Sequence, residues 1–391
     1  MLDFRCEKLR AIVNLAIEHV PYYRNLGLEQ DSVRSFDDLR KLPIVSKQII
    51  RGRGLANFTN DSYPASCRLS MRSSGSTGEP FSYYTSPEAT SINTAAKLLT
   101  WYKAGYRLGD RYMNIKRTAR ETLAKRVQDR VNRSSYVTFY SLDDTRLNEI
   151  LQQIERKKPL FLRSYPAPLI LLAHYKMQHH EFTHSPKRIF TTGSNLTDAT
   201  RKDVERAFGC DIIDSYSCEG TMNTYETPTH DGYHQTLPYG VMEVLDDNGD
   251  PVVNGVGRVV STDFWNLAQP FIRYDTLDLV EMKDGVIHRI IGHDCETIID
   301  AHGKRLTVYT LDEYLSRCDS EGHDLVNAFQ VVYHKDKTIT FRLVITPFFT
   351  EKYEEEITKY WTEELGCRVN VERVSHIPLM HNNKRLVTIT E

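Results

Sequence analysis

The sequence predicts an α/β protein: a large N-terminal domain that contains an antiparallel β subdomain, followed by a small α+β domain. Three observations lead there. Short apolar strands alternate with helical segments from residue 145 to Tyr216. Beyond Tyr216 the pattern changes to short alternating strands separated by turn residues. From about residue 292 the chain reads as strand, helix, strands, helix and strand, enough for a compact unit of about a hundred residues. At 391 residues the chain is also too long for one simple core. The expected division is residues 1–291 and 292–391.

Taken in order, FRCEKLRAIVNLAIEHV places apolar side chains at helical spacing until Pro21 stops it. Ser35 is placed to cap a short helix over Phe36, Leu39 and Leu42. Next comes Ser73 to Pro80, SSGSTGEP, in which Gly75 and Gly78 invite positive φ and Pro80 removes a donor, so neither helix nor strand interior fits. FSYYT then alternates like a strand, and Ser86 to Ala104 read as a capped helix ending near Gly105. After the helix RLNEILQQIERKK come LFLRSYP, a helix through Leu169 to Tyr175, the strand RIFTTG, the helix DATRKDVERAFG and the strand CDIIDSY. GVMEVLDDNGDPVVNGVGRVVSTD carries a DNGD turn between antiparallel strands. RLTVYT, LDEYLSRC, AFQVVYHKDKTITFRLVI, EKYEEEITKYWTEELG and RVNVERV make up the C-terminal unit.

Composition narrows the function. Lys plus Arg at 50 against Asp plus Glu at 52 gives no general electrostatic case for nucleic acid or an anionic membrane, so a small-molecule partner is expected. No apolar run approaches a membrane span and MLDFRCEKLR lacks a signal-peptide core, which predicts a cytoplasmic protein. Seven scattered cysteines, none in a CxxC pair, read as free thiols rather than a disulfide framework or zinc knuckle. A basic run over residues 111–135 reads as a solvated face or as a contact for a phosphate-bearing substrate such as coenzyme A. The Ser73–Pro80 loop can turn backbone N–H groups and the hydroxyls of Ser73, Ser74, Ser76 and Thr77 toward one oxyanion; a solvated Ser/Gly linker is the alternative. No lysine follows Gly78, so it is not a Walker loop.

Five segments in order now carry a resemblance: VPYYRNLG with SFDDLRKLPIVSK, SSGSTGEP, PLFLRSYPAPLILLA, DSYSCEG and PFIRYDTLD. Together they are similar to adenylate-forming enzymes, in the phenylacetate–CoA ligase-like branch that includes adenylating enzymes of capsule-biosynthesis clusters. The similarity spans nearly the whole chain. It implies the adenylate-forming fold, ATP and magnesium as cofactors, activation of a carboxylic acid as acyl-AMP with release of pyrophosphate, and coenzyme A as the default acceptor.

By the same resemblance, Ser73, Ser74, Gly75, Ser76, Thr77 and Gly78 would cradle the β- and γ-phosphates, and Glu219 would hold magnesium, a hard cation suited to carboxylate oxygen. Tyr216, beside Ser217, would pack on adenine; Asp278 would accept hydrogen bonds from both ribose hydroxyls; Thr192 and Gly193 would border the acyl or adenine pocket. Lys384 would be brought over the site by the small domain, where a compact cation stabilises the charge growing on phosphorus. Arg273 and Asp275 read as structural partners.

Three departures from the family pattern stand out. Tyr216-Ser217-Cys218-Glu219 is one residue shorter than Tyr-x-x-x-Glu; the hinge segment is Gly292-His293-Asp294-Cys295, with His293 where an arginine would touch the ribose; and the last signature ends Asn382-Asn383-Lys384. The altered hinge favours a second reading, a biosynthetic ligase that passes the acyl group to an amine or hydroxyl, because the hinge serves the rotation between half-reactions. A third is a nucleotide-binding protein that has lost catalysis. In YETPTHDGYH, where some members of this branch bind zinc, His230 and His234 are present but Thr227 stands where a cysteine would be, so no structural zinc is expected. A monomer or homodimer is expected.

Overall fold

The computed structural model describes residues 1–72, 82–116, 127, 129–131, 133–138, 144–193, 196–218, 220–293, 297–299, 305–307, 311, 314–315, 325–377 and 388–391. Helix α1 (Leu2–His19) ends where Val20 turns extended, and Pro21 opens a second short helix, α2 (Pro21–Arg24), in the N-terminal position that suits its missing N–H. Strand β1 (Val45–Ser46) leads into α3 (Lys47–Arg53), and β2 (Leu69–Arg72) pairs antiparallel with β3 (Ser82–Thr85). This hairpin brackets the Ser73–Pro80 loop, with Arg72 opposite Ser82. Ser86 then caps α4 (Pro87–Lys103) by accepting from the Ala89 N–H at 3.1 Å.

Alternation follows as expected: β4 (Tyr112–Lys116), β5 (Ser134–Thr138), α5 (Asp144–Lys157), β6 (Phe161–Ser164), α6 (Pro166–Gln178), β7 (Arg188–Thr192), α7 (Asp198–Phe208) and β8 (Ile212–Cys218). Thr197 caps α7, and Gly209, with φ +66°, stops it in the left-handed conformation that glycine adopts without a Cβ penalty. The antiparallel strands are β9 (Met222–Glu226), β10 (Tyr233–Gln235), β11 (Gly240–Leu245), β12 (Gly255–Asp263), β13 (Tyr274–Lys283) and β14 (Val286–His293). Between β11 and β12 the DNGD turn closes on Asp246, whose carboxylate accepts from the Asn248 and Asp250 N–H groups.

Apart from the separate β2–β3 pair, these strands join into one large sheet ordered β11-β12-β13-β14-β10-β9-β8-β7-β6-β4-β5, with β1 added beside β13. From β8 to β5 the pairs are parallel; from β11 to β8 they are antiparallel. The parallel half is covered on both faces, as such sheets require. Helices α5, α6 and α7 bury Leu147, Ile150, Leu172 and Val204 against Met113, Leu162, Ile189 and Ile212. On the other face α4 sets Trp101 against Phe161, Phe190 and Ile213. The antiparallel half curls around a shared core of Met222, Val244, Val259, Val280 and Ile287, and α1 packs beside it with Phe264, Phe271 and Tyr274.

The large sheet runs to His293. Beyond it lie β15 (Thr297–Ile299) with β16 (Arg305–Thr307), and a sheet ordered β19-β18-β17-β20 made of β17 (Val326–Tyr333), β18 (Ile339–Ile345), β19 (Val369–Arg373) and β20 (Thr388–Thr390). Helix α8 (Glu351–Leu365) buries Ile357, Trp361 and Leu365 on it. Two local readings need correction or completion. Ser35 is no capping acceptor; its hydroxyl donates to Asp38, whose carboxylate also accepts the Arg34 and Ser35 N–H groups. Strand β20 is three residues long, too short for alternation to mark it.

Candidate active site

Parallel strands end their C-terminal edge in loops that face a common crevice. At this edge Thr192 of β7 lies opposite Ser215 of β8. Gly193 follows with φ +84°, and a Cβ there would come within 2.7 Å of the Tyr165 ring, so glycine is what lets the ring close over the strand end. Tyr216 and Ser217 continue β8 one step further. Thr192, Gly193, Tyr216 and Ser217, read from separate segments, are therefore neighbours.

Strand β8 then reverses into β9 through a tight turn in which the Thr221 N–H donates to the Cys218 carbonyl at 2.7 Å. Gly220 takes φ +74°. Its carbonyl accepts from the Tyr239 hydroxyl, which in turn accepts from the Asn93 amide at 2.8 Å, and the Thr221 hydroxyl meets that of Ser261 at 2.6 Å. Residues flanking Glu219 are thus held from α4, from the loop before β11 and from β12. Glu219 itself lies outside the described residues.

The Tyr216 hydroxyl donates to Asp278 Oδ2 at 2.6 Å, joining positions 62 residues apart. Burial, and next the Asp278 charge, push this phenol well above its ordinary range, so it stays a donor. Asp278 is aimed by an irregularity in β13. Leu277 adopts φ +61°, a conformation costly for a side chain with a Cβ, and the register to β12 slips between Arg258 and Val260. Two bonds hold the distortion: the Leu277 N–H to Asp275 Oδ1 at 2.9 Å and the Asp278 N–H to Thr276 Oγ1 at 3.1 Å. The backbone of His293 lies directly opposite Asp278 in the β13–β14 ladder.

Arg273 and Asp275 have the structural partners expected of them. Arg273 grips Glu243 with two nitrogens at 3.0 and 3.1 Å and donates to the Leu42 carbonyl at 2.9 Å, while Asp275 sits 3.4 Å from Arg258. A second buried network lies beneath β8: Arg201 donates to both oxygens of Glu226 at 2.6 Å, and Asp214 accepts from Thr191 at 2.6 Å and Tyr233 at 2.7 Å. His234 meets Asp231 at 2.9 Å and His230 faces Glu226 at 3.7 Å.

On the α4 face of the sheet, register sets Tyr136, Asn114, Arg163, Phe190 and Ile213 in one row, with Thr192 and Ser215 in the next row toward the C-terminal edge. The Arg163 guanidinium lies 5.8 Å from the Trp101 ring centroid, and that ring stacks on Phe190 at 4.8 Å and 8°. Asn93, Lys97 and Trp101 are four apart, hence on one face of α4. Asn93 reaches the Gly220 turn and Trp101 the Arg163 row, which puts Lys97 between them. Burial, then Arg163, push the Lys97 ammonium down to about 8; burial also lowers Arg163, against which Tyr165, Tyr136 and Tyr112 act. Among the described residues no carboxylate is among the charges that act on either group.

Sequence reasoning did not single out Asn93, Lys97, Arg163 or Tyr239. The only local signal was an asparagine and a lysine on the buried face of α4. Ser73, Ser74, Gly75, Ser76, Thr77, Gly78 and Lys384 lie outside the described residues, as does the side chain of His293. A cavity of about 360 Å³, lined by Arg111, Arg130, Arg133, Lys157 and Asp129, opens at the start of β4 and β5, the sheet edge remote from Thr192, and takes in part of the basic run. Among the described residues no group of three or more His, Cys, Asp or Glu could hold a metal, and no helix is long and apolar enough to cross a membrane.

No family profile matches the chain. Protein CapK of Staphylococcus aureus is 26% identical over 249 residues, 58% of this chain and 53% of that protein, so the match spans about half the length of that curated relative. Among solved structures, a 2-hydroxyisobutyryl-CoA ligase in the postadenylation state with 2-HIB-AMP aligns over 99% of this chain and 88% of its own, at a TM-score of 0.68 and 18% identity. The O-succinylbenzoate coenzyme A synthetase MenE from Bacillus subtilis, in complex with AMP, aligns over 81% of this chain and 67% of its own, at 0.56 and 16%. The chain has the fold of adenylate-forming ligases and resembles them over nearly its full length.

Proposed function

We propose that this protein is an ATP-dependent ligase that activates a carboxylic acid as acyl-AMP, releases pyrophosphate and passes the acyl group to coenzyme A. The observation that carries the reading is the Tyr216–Asp278 bond: two positions assigned to adenine and ribose from separate segments meet beside Thr192 and Gly193. A strained Leu277 fixed by Asp275 and Thr276 supports it, because such strain clusters where a side chain must be aimed.

The chemistry asks for positioning and charge neutralisation rather than covalent help from the protein. The Ser73–Gly78 hydroxyls and N–H groups would bind the β- and γ-phosphates, and the hairpin β2–β3 holds the two ends of that loop together. Asp278 would accept from the ribose hydroxyls, with Tyr216 holding the carboxylate in place. The β8–β9 turn suits a magnesium ligand at Glu219, since one carboxylate is enough for an ion otherwise bound by phosphates and water. Magnesium would supply neutralisation of phosphate charge. Residues 1–291 would form the ATP and acyl body and residues 292–391 the mobile domain that delivers Lys384, in the cytoplasm. The changed hinge at His293 favours, as a second reading, an amine or hydroxyl acceptor in place of the thiol.

Pyrophosphate release with ATP, magnesium and a panel of acids tests the first step, and omission or addition of coenzyme A tests the acceptor. Turnover with at least one acid is expected; Lys384→Ala should lose acyl-AMP formation while still transferring from supplied acyl-AMP. Equal loss of both steps would remove the domain rotation from the mechanism.

A further inference from the structure

Lys97 of the covering helix α4 and Arg163 of strand β6 are two cations on facing layers, and each is only partly exposed. Holding like charges together away from bulk water costs free energy unless an anion offsets it. Elsewhere in this sheet the offset is built in: Arg273 has Glu243 and Arg201 has Glu226. Here the surroundings, among the described residues, are Trp101, Phe190, Asn114 and the phenols of Tyr112, Tyr136 and Tyr165. Arg163 stands one row, about 7 Å along a strand, from Thr192 and Ser215, and Tyr165 of the same segment closes over Gly193. The pair therefore borders the acyl side of the site.

We propose that the acid activated by this protein carries a second anionic group, bound by Arg163 and Lys97 while its reacting carboxylate lies by Thr192 and Gly193. The inference rests on the adenylation reading. Arg163 supplies a planar fork that matches a carboxylate or phosphonate, and its guanidinium carbon lies 5.8 Å from the Trp101 ring centroid. Lys97 adds a point charge from the opposite layer. An uncharged acyl tail in the same place would leave both cations desolvated and unpaired, which gives discrimination as well as affinity.

The test uses the full chain with ATP and magnesium and measures pyrophosphate release for matched pairs: succinate against butyrate, glutarate against valerate, adipate against hexanoate, and 3-phosphonopropionate. At least about a tenfold preference in kcat/KM for the doubly anionic member of one pair is expected, with the ratio collapsing in Arg163→Met and Lys97→Met and partly kept in Arg163→Lys. Equal or better turnover of every monoacid by the wild type overturns the inference and leaves adenylation standing. If no acid of any kind is turned over, adenylation itself falls. The cation pair is then judged by melting temperature without ATP. A rise with succinate or 3-phosphonopropionate that is lost in Arg163→Met keeps the anion site; no rise in the wild type overturns it.

Discussion

Arg273 and Arg163 occupy the same sheet in two different situations. Around Arg273, in the antiparallel half, each guanidinium nitrogen donates to a fixed acceptor: Glu243 at 3.0 and 3.1 Å and the Leu42 carbonyl at 2.9 Å. Around Arg163, in the parallel half, the guanidinium lies over an indole and beside another cation. The first arrangement ties the N-terminal segment to the sheet. The second leaves an interior charge to be met from outside. Asp263 stands between the extremes: it is a buried carboxylate with no cation among the described residues, held by the Trp265, Asn266 and Phe271 N–H groups, and burial pushes it up to about 6. On the proposal above, buried charge marks structure where a described partner is internal and a binding site at the Lys97–Arg163 pair.

The comparison breaks first, if at all, at Arg273. Arg273→Met strands Glu243 in the interior and should cost about 3–5 kcal/mol in denaturant unfolding, the range for a buried pair that loses one member. A loss below about 1 kcal/mol would mean that the pair is incidental to the fold.

Asp263 should come next. Its folded carboxyl titrates near 6, above the ordinary unfolded value, so between pH 4 and 6 the native chain binds more protons than the unfolded one and stability falls as pH rises. The contribution is at most about 3 kcal/mol, and Asp263→Asn should remove it, seen as a difference between the two proteins' stability profiles over that window. Parallel profiles would place the charge in solvent.

Asp278→Ala tests the site side of the contrast. If Asp278 accepts from the ribose as proposed, its loss should weaken ATP binding by about 2 kcal/mol, roughly thirtyfold, by calorimetry. An unchanged affinity would move the ribose elsewhere. The smallest effect is the sharpest: Arg163→Met should leave unfolding stability within about 1 kcal/mol of wild type, because the desolvation relieved offsets the lost packing on Trp101. A cost equal to that of Arg273→Met would erase the distinction.

The parts legible from sequence are those whose causes lie within a few residues. Ser86 announces a helix start and the DNGD run a turn, because the group that satisfies each backbone atom is a chain neighbour. Thr192, Gly193, Tyr216 and Asp278 were identified through family resemblance, each within its own segment. Ser35 shows how narrow even local reasoning is: a serine ahead of a short helix fits a capping pattern, but Asp38 gathers the same donors more strongly.

What the sequence determined by itself, then, is the alternation of elements, their caps and turns, the change from α/β to antiparallel β after Tyr216, and the residue types available for chemistry. Tertiary structure alone decided which of them come together: Tyr216 with Asp278, Arg273 with Glu243 and Leu42, β1 beside β13, Asn93 with the Gly220 turn, and Lys97 within electrostatic reach of Arg163. The physical reason is range. Hydrogen-bond satisfaction and hydrophobic period act between near neighbours in the chain, whereas a charge acquires its function from whatever opposite charge, or lack of one, the packing of remote strands and helices brings within a few ångströms.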